Sequence, residues 1–194
     1  MFNFKKDSDE SRSAANKSSR GSSEIPKRAS VSIGGKTMIG PTVIIDGNII
    51  KTDNTSILGA DDKAGVTIML WMIKNNVPGT YYFFIGEEVG CIGSGHLSRN
   101  WKDISFSNHI NKVVSFDRRG TSSVITHQFY GRCCSDEFAK ELSMRLSSTS
   151  EELKLSPDDT GVLTDSAQFM DIVSECTNIS VGYYREHTTS ESQD

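Results

Sequence analysis

The sequence predicts an α/β sandwich in one domain, because strand-like and helix-like segments alternate along most of the chain. The chain has 194 residues, which is enough for one domain with a substantial hydrophobic core. Short apolar runs typical of buried strands alternate with segments that repeat apolar residues at helical spacing. We therefore expect a single folded domain over residues 31–194.

Residues 1–30 differ from the rest of the chain in composition. They are rich in Ser, Lys, Arg, Asp and Glu and contain few large apolar side chains. Such a segment cannot bury enough apolar surface to offset the entropy that is lost on ordering. We predict that it forms a disordered N-terminal tail.

The first half of the predicted domain contains a hairpin, a helix and a strand. Residues 42–50 are strand-like around Asp46-Gly47, which predicts a hairpin turn. The continuous apolar run from Tyr81 to Ile85 predicts a strand buried on both faces. Residues 64–74 predict a helix that faces the core with apolar side chains at helical spacing, namely Val66, Met69, Leu70 and Ile73.

The second half continues the alternation. The predicted strands cover residues 112–116, 122–127 and 178–183, and we expect the first two to be neighbours in the sheet. The predicted helices cover residues 93–100 and 135–147, and a short one opens at Thr164-Asp165 with Phe169 and Ile172 inside. Ser135 is the expected N-cap of the longest helix, whose core face carries Phe138, Ala139, Leu142 and Leu146.

The composition argues against several classes of function. The formal net charge of −4 is mild and favours neither a nucleic acid nor an anionic membrane as a partner. No apolar run is long enough to span a membrane, and the first residues lack the apolar core of a signal peptide. The four cysteines lack the paired spacing of a zinc ribbon, so we expect reduced thiols in a cytoplasmic protein.

Two acidic pairs stand out, Asp61-Asp62 and Glu87-Glu88, each flanked by small or apolar residues. Adjacent carboxylates repel each other unless a cation or protons separate them. A helix N-terminus, which favours acids, would explain the first pair in part. It would not explain the second pair, which ends an apolar run and is bracketed by glycines.

Four positions with metal-binding side chains follow predicted strands or precede a predicted helix: Asp61, Glu87-Glu88, Asp117 and His187. Strand ends of an open α/β sheet converge on one crevice. Carboxylate and imidazole ligands without thiolates suit zinc or a related divalent ion in an open catalytic site. The pattern therefore predicts a metal centre.

These motifs resemble those of peptidase T and related co-catalytic zinc aminopeptidases and carboxypeptidases. The similarity covers most of the chain from about Thr42 onward and rests on several motifs in the same order. They are Thr52-Asp53-Asn54-Thr55-Ser56-Ile57-Leu58-Gly59-Ala60-Asp61-Asp62-Lys63-Ala64-Gly65, Glu87-Glu88, Ser115-Phe116-Asp117, Thr164-Asp165-Ser166 and the segment from Tyr184 to Glu191. The resemblance implies a three-layer α/β sandwich with a mixed central sheet.

The resemblance also implies a role for each motif residue. Asp61 would bridge two metal ions, Glu88 and His187 would complete one site, and Asp117 would belong to the other. Glu87 would be the general base for a metal-activated water, and Asp62 would orient the bridge. One or two Zn²⁺ ions are implied, with Co²⁺ or Mn²⁺ as substitutes.

The chain departs from the family pattern in one motif and in size. The family has an upstream His-x-Asp motif, whereas no histidine precedes His96 here. Three explanations of the missing motif stay open: the sequence is a fragment, the protein keeps one metal ion, or the protein has lost activity. We favour the first, with residues missing at both ends. The stretch between Asp117 and His187 is too short for an inserted dimerisation domain, so we expect none.

We therefore expect a metal-dependent exopeptidase-like hydrolase that cleaves a short peptide, of the aminopeptidase or tripeptidase type. The alternative is a catalytically inactive metal- or peptide-binding domain of the same descent. Arg185 is expected to contact substrate, and His127 is either a spare metal ligand or a polar edge residue. Arg118 and Arg119 form either a carboxylate-recognising pair or a solvated turn.

Overall fold

A mixed β-sheet with helices packed against it forms the centre of the fold. The computed structural model describes residues 27–33, 36–129 and 131–194, with side chains described from residue 42 onward. In the described part, three strands come first, namely β1 (Lys27–Ile33), β2 (Lys36–Asp46) and β3 (Ile49–Thr52). The helices are α1 (Ala60–Lys74), α2 (Ile92–Arg99) and α3 (Asp136–Ser147), and short 3₁₀ turns lie at Trp101–Asp103, Ser107–His109 and Asp165–Phe169.

Eight further strands complete the described elements. They are β4 (Lys112–Arg118), β5 (Ser123–Ile125), β6 (His127–Gln128), β7 (Gly131–Arg132), β8 (Ser156–Asp158), β9 (Glu175–Ser180), β10 (Tyr183–Tyr184) and β11 (Ser192–Gln193). Most of the predicted tail, residues 1–26, lies outside the described residues. Strand β1 begins at Lys27, within the range predicted as a tail.

The central sheet has the strand order β4-β9-β5-β8. The β4–β9 and β5–β8 pairs are parallel, whereas β5 and β9 are antiparallel, so the predicted mixed α/β sheet is confirmed. The expectation that the strands of residues 112–116 and 122–127 are neighbours is wrong, because β9 lies between β4 and β5. Strand β9 is distant in sequence, and a local pattern cannot show its insertion.

A second sheet brings the C-terminal residues next to β3. Its order is β1-β2-β3-β11-β10, and its described pairs are antiparallel. The predicted hairpin at Asp46-Gly47 is confirmed, since Asp46 pairs with Ile49 across that turn. The β3–β11 pairing places the loop that precedes β11 beside the loop that follows β3, and this proximity builds the site.

Two hydrophobic clusters hold the helices on the sheet. The larger contains Trp101, Val124, Phe169 and Cys176, and α3 packs into it with Ala139 fully buried. Ser135 caps α3 as predicted, since its hydroxyl accepts a hydrogen bond from the Phe138 amide at 3.1 Å. The smaller cluster joins α1 to β4 and β10 and contains Ala60, Ala64, Ile68, Phe116, Val181 and Tyr183, with Leu58 beside them.

The predicted core face of α1 is wrong, although the helix itself is confirmed. Val66, Leu70 and Ile73 are exposed, and Trp71 beside them is 62% exposed. The helix instead packs its small residues inward: Gly65 is buried, and a Cβ on it would collide with the Phe116 carbonyl oxygen. Close approach to β4 therefore selects the face with glycine and alanine rather than the bulkiest face.

The predicted buried strand at Tyr81–Ile85 is also wrong. No strand is assigned there, and within the described residues this segment pairs with no neighbouring strand. Phe84 packs on the larger cluster, but Phe83 is 48% and Ile85 78% exposed. Without a pairing strand, alternate side chains of the run face solvent. Ile172, expected inside the 3₁₀ turn region, is also exposed, while Phe169 is buried.

Candidate metal centre

The first part of the site is the loop that leads into α1. Gly59 adopts a left-handed conformation with φ of 67°, and Asp61 and Asp62 depart from helical geometry within the first turn. The peptide bond between the two aspartates is cis. Asp62 turns inward, where its Oδ1 accepts a hydrogen bond from the Gly65 amide at 3.1 Å. Asp61 points toward the segments that carry Glu88 and His187.

The second part is the turn of Glu87 to Gly90, which leads into α2. The carbonyl oxygen of Glu87 accepts hydrogen bonds from the amides of Gly90 and Cys91, at 2.9 and 2.8 Å. Gly90 has a φ of 101° and Cys91 a φ of 54°, so the chain reverses sharply before the helix. This turn holds Glu87 and Glu88 next to the other acidic residues of the site.

The third part is the loop of residues 185–191, between β10 and β11. The Nε2 atom of His187 lies 2.9 Å from Asp61 Oδ2 and 2.9 Å from Glu88 Oε1. One donor atom from each of these three residues lies within 4.8 Å of the others. The Asp61 side chain is only 10% exposed, whereas those of Glu88 and His187 are open to solvent. The structure thus brings together three of the predicted ligands.

Asp117 lies behind Asp61 at the end of β4. Its Oδ2 accepts a hydrogen bond from the Thr164 hydroxyl at 2.7 Å, and its Oδ1 lies 3.3 Å from the Tyr183 hydroxyl, which donates to it. The Asn178 side chain bonds to both the amide and the carbonyl of Asp117. Asp117 is close enough to Asp61 for each to affect the pKa of the other, yet it is not part of the three-residue group.

The carboxylates of the site are held where ionisation is unfavourable. Burial is the main cause that raises the pKa of Asp62 to about 8, and the nearby charge of Asp117 adds to it. Burial, followed by the charges of Asp117 and Glu88, raises the pKa of Glu87 to about 7. Burial likewise raises the pKa of Asp117 to about 7. A negative cluster of this kind is stabilised by protons or by a cation.

The pKa values of Asp61 and His187 are both raised. For Asp61 the first cause is burial and the second is the charge of Glu88. For His187 the first cause is the charge of Glu88, which favours the protonated imidazole. The short contacts of His187 with Asp61 and Glu88 thus favour the protonated form of its imidazole.

The loop that carries His187 has strained backbone. Arg185 and His187 have φ values of 57° and 62°, in the left-handed region that costs a non-glycine residue free energy. The Thr188 hydroxyl donates to the Arg185 carbonyl at 2.7 Å, and the Thr52 hydroxyl donates to the Thr189 carbonyl at 3.3 Å. The bond from Thr188, which lies within the loop, stabilises the conformation that points His187 at Asp61, whereas the bond from Thr52 anchors the loop beyond His187.

Other predicted site residues lie outside the three-residue group. Arg185 is exposed beside His187, and no described contact fixes its guanidinium. His127 contacts the Thr126 hydroxyl at 3.0 Å and lines a polar cleft with Arg132, so it is not placed to serve as a spare ligand. The arginine pair is divided, since Arg118 bonds to Thr160 and Arg119 pairs with Glu186 at 3.4 Å.

Two clefts lie apart from the cluster. The polar one, of about 510 Å³, is lined by residues of β5, β8 and the start of α3. The other, of about 460 Å³, is largely apolar and lies between α1 and β11, next to Gly59 and Ala60. The three-residue group lines neither cleft, and of its members Glu88 and His187 are open to solvent.

One buried carboxylate beside the site was not singled out by the sequence. Glu191 is 1% exposed, and its two carboxylate oxygens accept hydrogen bonds from the amides of Gly59 and Asp61. The sequence shows only an acid four residues after His187, flanked by Ser190 and Ser192. That pattern is typical of a solvated loop, so nothing local signals the burial.

No model of a known protein family matches the chain. The uncharacterized protein YqjE of Bacillus subtilis strain 168 is 43% identical over 70 residues, which cover 32% of this chain and 19% of that protein. The match therefore spans a small part of either protein and gives no information about function.

Solved structures match more of the chain. Aminopeptidase PepT from Bacillus cereus superimposes with a TM-score of 0.62 and 15% identity, over 79% of this chain and 71% of that one. The chain shares the fold of this protein. An aminopeptidase from Desulfurococcus kamchatkensis (TM-score 0.54, 14% identity) and the TET1 peptidase of Pyrococcus horikoshii (0.53, 19%) each match 81% of this chain. The chain spans about half the length of these two, 48% and 49%.

These matches confirm, at the level of the fold, the resemblance to aminopeptidases that the motifs indicated. They also confirm the α/β sandwich with a mixed sheet. In the described part of the chain, no helix is both long enough and apolar enough to cross a membrane.

Proposed function

We propose that the chain is a metal-dependent exopeptidase-like hydrolase that cleaves a peptide bond in a short peptide, of the aminopeptidase or tripeptidase type. One observation carries the proposal: Asp61, Glu88 and His187, from three distant segments, converge until single donor atoms lie within 4.8 Å of one another. The aminopeptidase fold of the matched structures supports the same class of reaction.

The donor set fits a divalent metal ion. Two carboxylate oxygens and one imidazole nitrogen are ligands that zinc accepts, and three protein ligands leave a position open for substrate or water. The excess of carboxylates, whose pKa values are raised in the metal-free site, gives a further reason for a cation there. Asp61, Glu88 and His187 would hold Zn²⁺, for which Co²⁺ or Mn²⁺ could substitute, and Asp117 would serve a second ion through Asp61.

When bound, the ion would lower the pKa of a water molecule and polarise the scissile carbonyl. Glu87 would accept a proton from the attacking water and deliver it to the leaving amine. Its place next to Glu88 and its pKa of about 7 suit a group that must take up and release a proton near neutral pH. Asp62 would hold the Asp61 loop through its bond to the Gly65 amide.

The substrate would be a short peptide, one end of which could reach the ligand group because Glu88 and His187 are open to solvent. Arg185, exposed and two residues from His187, would contact the carboxylate of such a substrate. We also propose that the described residues after the tail form one catalytic domain without an inserted dimerisation domain. The four cysteines are all free and buried, which supports the proposed cytoplasmic location.

A second candidate is a catalytically inactive domain that binds a metal or a peptide. One observation favours it: the other three histidines, His96, His109 and His127, are absent from the ligand group. A second metal site around Asp117 would then have no imidazole from this chain. Such a domain would bind one ion without turning over a peptide.

The test uses the purified full chain, stripped of metal with a chelator and reloaded with Zn²⁺, Co²⁺ or Mn²⁺. Dipeptides, tripeptides and aminoacyl amides are then assayed for hydrolysis. We expect turnover only with metal, and we expect Glu87→Gln to abolish turnover while leaving the metal stoichiometry unchanged. His187→Ala is expected to lose the metal as well as the turnover.

The control is Glu152→Gln, which removes an equal charge from an exposed turn away from the site. Metal binding without hydrolysis of any substrate would favour the inactive domain. A folded wild-type chain that binds no divalent ion would contradict both candidates. Full activity in the Glu87→Gln variant would contradict the assignment of the general base.

A further inference from the structure

A buried glutamate connects the two segments that carry Asp61 and His187. Glu191 lies four residues after His187, directly before β11, and only 1% of its surface is exposed. Its own amide donates to the Thr188 carbonyl at 3.2 Å, which ties it to the His187 loop. Burial of a carboxylate is unfavourable unless strong hydrogen bonds compensate it.

Both carboxylate oxygens of Glu191 are engaged by the loop that leads into α1. Oε2 accepts a hydrogen bond from the Gly59 amide at 2.5 Å, and Oε1 accepts one from the Asp61 amide at 2.9 Å. Hydrogen bonds to an ionised acceptor are roughly twice as strong as those between neutral groups. The two bonds join residues about 130 positions apart in the sequence, and one of them holds the backbone of Asp61 itself.

We propose that Glu191 is a positioning residue for the metal centre, and this inference rests on the proposed function. By holding the amides of Gly59 and Asp61, it fixes the position of the Asp61 carboxylate relative to the imidazole of His187. Because Glu191 belongs to the same loop as His187, one side chain aligns two of the three donor segments. Its carboxylate is engaged by these two amides and does not belong to the three-residue donor group.

The structure offers a control that joins the same two segments without contacting Asp61. Thr52 is 3% exposed, and its hydroxyl donates to the Ser56 carbonyl at 2.8 Å and to the Thr189 carbonyl at 3.3 Å. Thr52→Val removes these bonds and keeps the side-chain shape. Glu186→Gln is the matched control for charge, since Glu186 adjoins His187 but pairs with Arg119 at the surface.

The experiment measures Co²⁺ binding to the metal-free full chain through the visible absorption of the bound ion. We expect Glu191→Gln to weaken Co²⁺ affinity about 10- to 100-fold and to alter the spectrum, as loss of a group that orients a metal ligand does. Thr52→Val is expected to lower the unfolding temperature but to leave the Co²⁺ dissociation constant and spectrum of the folded chain unchanged. Glu186→Gln is expected to match wild type in both.

Amide hydrogen exchange of the metal-free chain gives a readout that needs no ion. The amides of Gly59 and Asp61 are expected to exchange faster in Glu191→Gln than in Thr52→Val. If Glu191→Gln does not fold, Glu191→Asp keeps the charge on a side chain shorter by one methylene, and the same weakening of Co²⁺ binding is expected from it.

The outcomes separate this inference from the proposed function. If wild type binds Co²⁺ and the Glu191 variants bind it equally well with the same spectrum, the positioning role is overturned and the metal centre stands. Equal losses of affinity in the Glu191 variants and Thr52→Val would also overturn it, since general loosening would explain both. If wild type binds no Co²⁺, the metal centre fails, and the positioning role fails with it.

Discussion

The stability of the metal-free chain should fall as the pH rises from about 5 to about 8, because the site buries carboxylates that favour their protonated forms. Asp62 is the strongest case: its pKa rises from 3.8 to about 8 on folding, mainly through burial. A group whose pKa is raised in the folded state stabilises the fold fully below the unfolded pKa. That stabilisation is lost as the pH rises through the folded pKa.

The size of the effect follows from proton counting. Between pH 3.8 and about 8 the folded chain retains a proton on Asp62 that the unfolded chain releases. Each such proton lowers the free energy of unfolding by about 1.4 kcal/mol per pH unit. For a chain of this length that corresponds to about 3–6 °C in unfolding temperature per pH unit. Glu87 and Asp117, whose pKa values rise to about 7, act in the same direction at the lower end of the range.

The assay is thermal unfolding in a chelating buffer at constant ionic strength, at several pH values from about 5 to about 8. The Asp62→Asn variant keeps the oxygen that accepts from the Gly65 amide and removes the ionisable group. We expect the free energy of unfolding of the variant to depend less steeply on pH than that of wild type, by the contribution of about one bound proton. Saturating Zn²⁺ should flatten the wild-type dependence, because a divalent cation offsets the repulsion that protons otherwise relieve.

The matched control is Asp136→Asn, on the exposed start of α3. Arg132 donates to Asp136 and lowers the pKa of that carboxyl, so it is ionised in both states across the whole range. The control should shift the curve without changing its slope. A wild-type stability that is flat or rises over the range would refute the reasoning, as would equal slopes for wild type and Asp62→Asn.

Three more predictions concern the framework of the site. Gly65→Ala places a Cβ against the Phe116 carbonyl. It should lower the free energy of unfolding, measured with urea, by about 1–3 kcal/mol or more and should weaken metal binding. Wild-type values for both would contradict the close approach of α1 to β4. Ser135→Ala should cost about 1 kcal/mol through loss of the helix cap without affecting metal binding, and a stability equal to wild type would argue against the cap. Asn178→Ala leaves the amide and carbonyl of Asp117 without their side-chain partner and should cost about 1–3 kcal/mol, measured by urea unfolding; an unchanged midpoint would contradict that bridge.

The sequence predicted the acidic and imidazole members of the site because their chemistry is local. An acid pair bracketed by glycines, or an aspartate directly after an apolar strand, is conspicuous in a short window. The general rule that strand ends of an α/β sheet meet predicted their convergence, although no strand directly precedes Glu88 in the structure. The structure brings Asp61, Glu88 and His187 together, while their roles in metal binding and catalysis stay predictions.

Other features could not be predicted because they depend on contacts distant in sequence. The inward face of α1 is chosen by the fit of Gly65 against Phe116 and not by the hydrophobicity of Val66 or Leu70. The exposure of Ile85 reflects the lack of a pairing strand among the described residues. Glu191 was overlooked for the same reason: its burial depends on amides about 130 residues away.

The pairing of β11 with β3 has a consequence for how the protein is made. During translation the N-terminal residues leave the ribosome many seconds before the C-terminal ones, since synthesis proceeds at about 5–20 residues per second. The nascent chain therefore displays Asp61 and Glu88 well before His187 has been synthesised. Until then the nascent polypeptide lacks the third donor, so the complete three-donor site is expected to form only after His187 has left the ribosome.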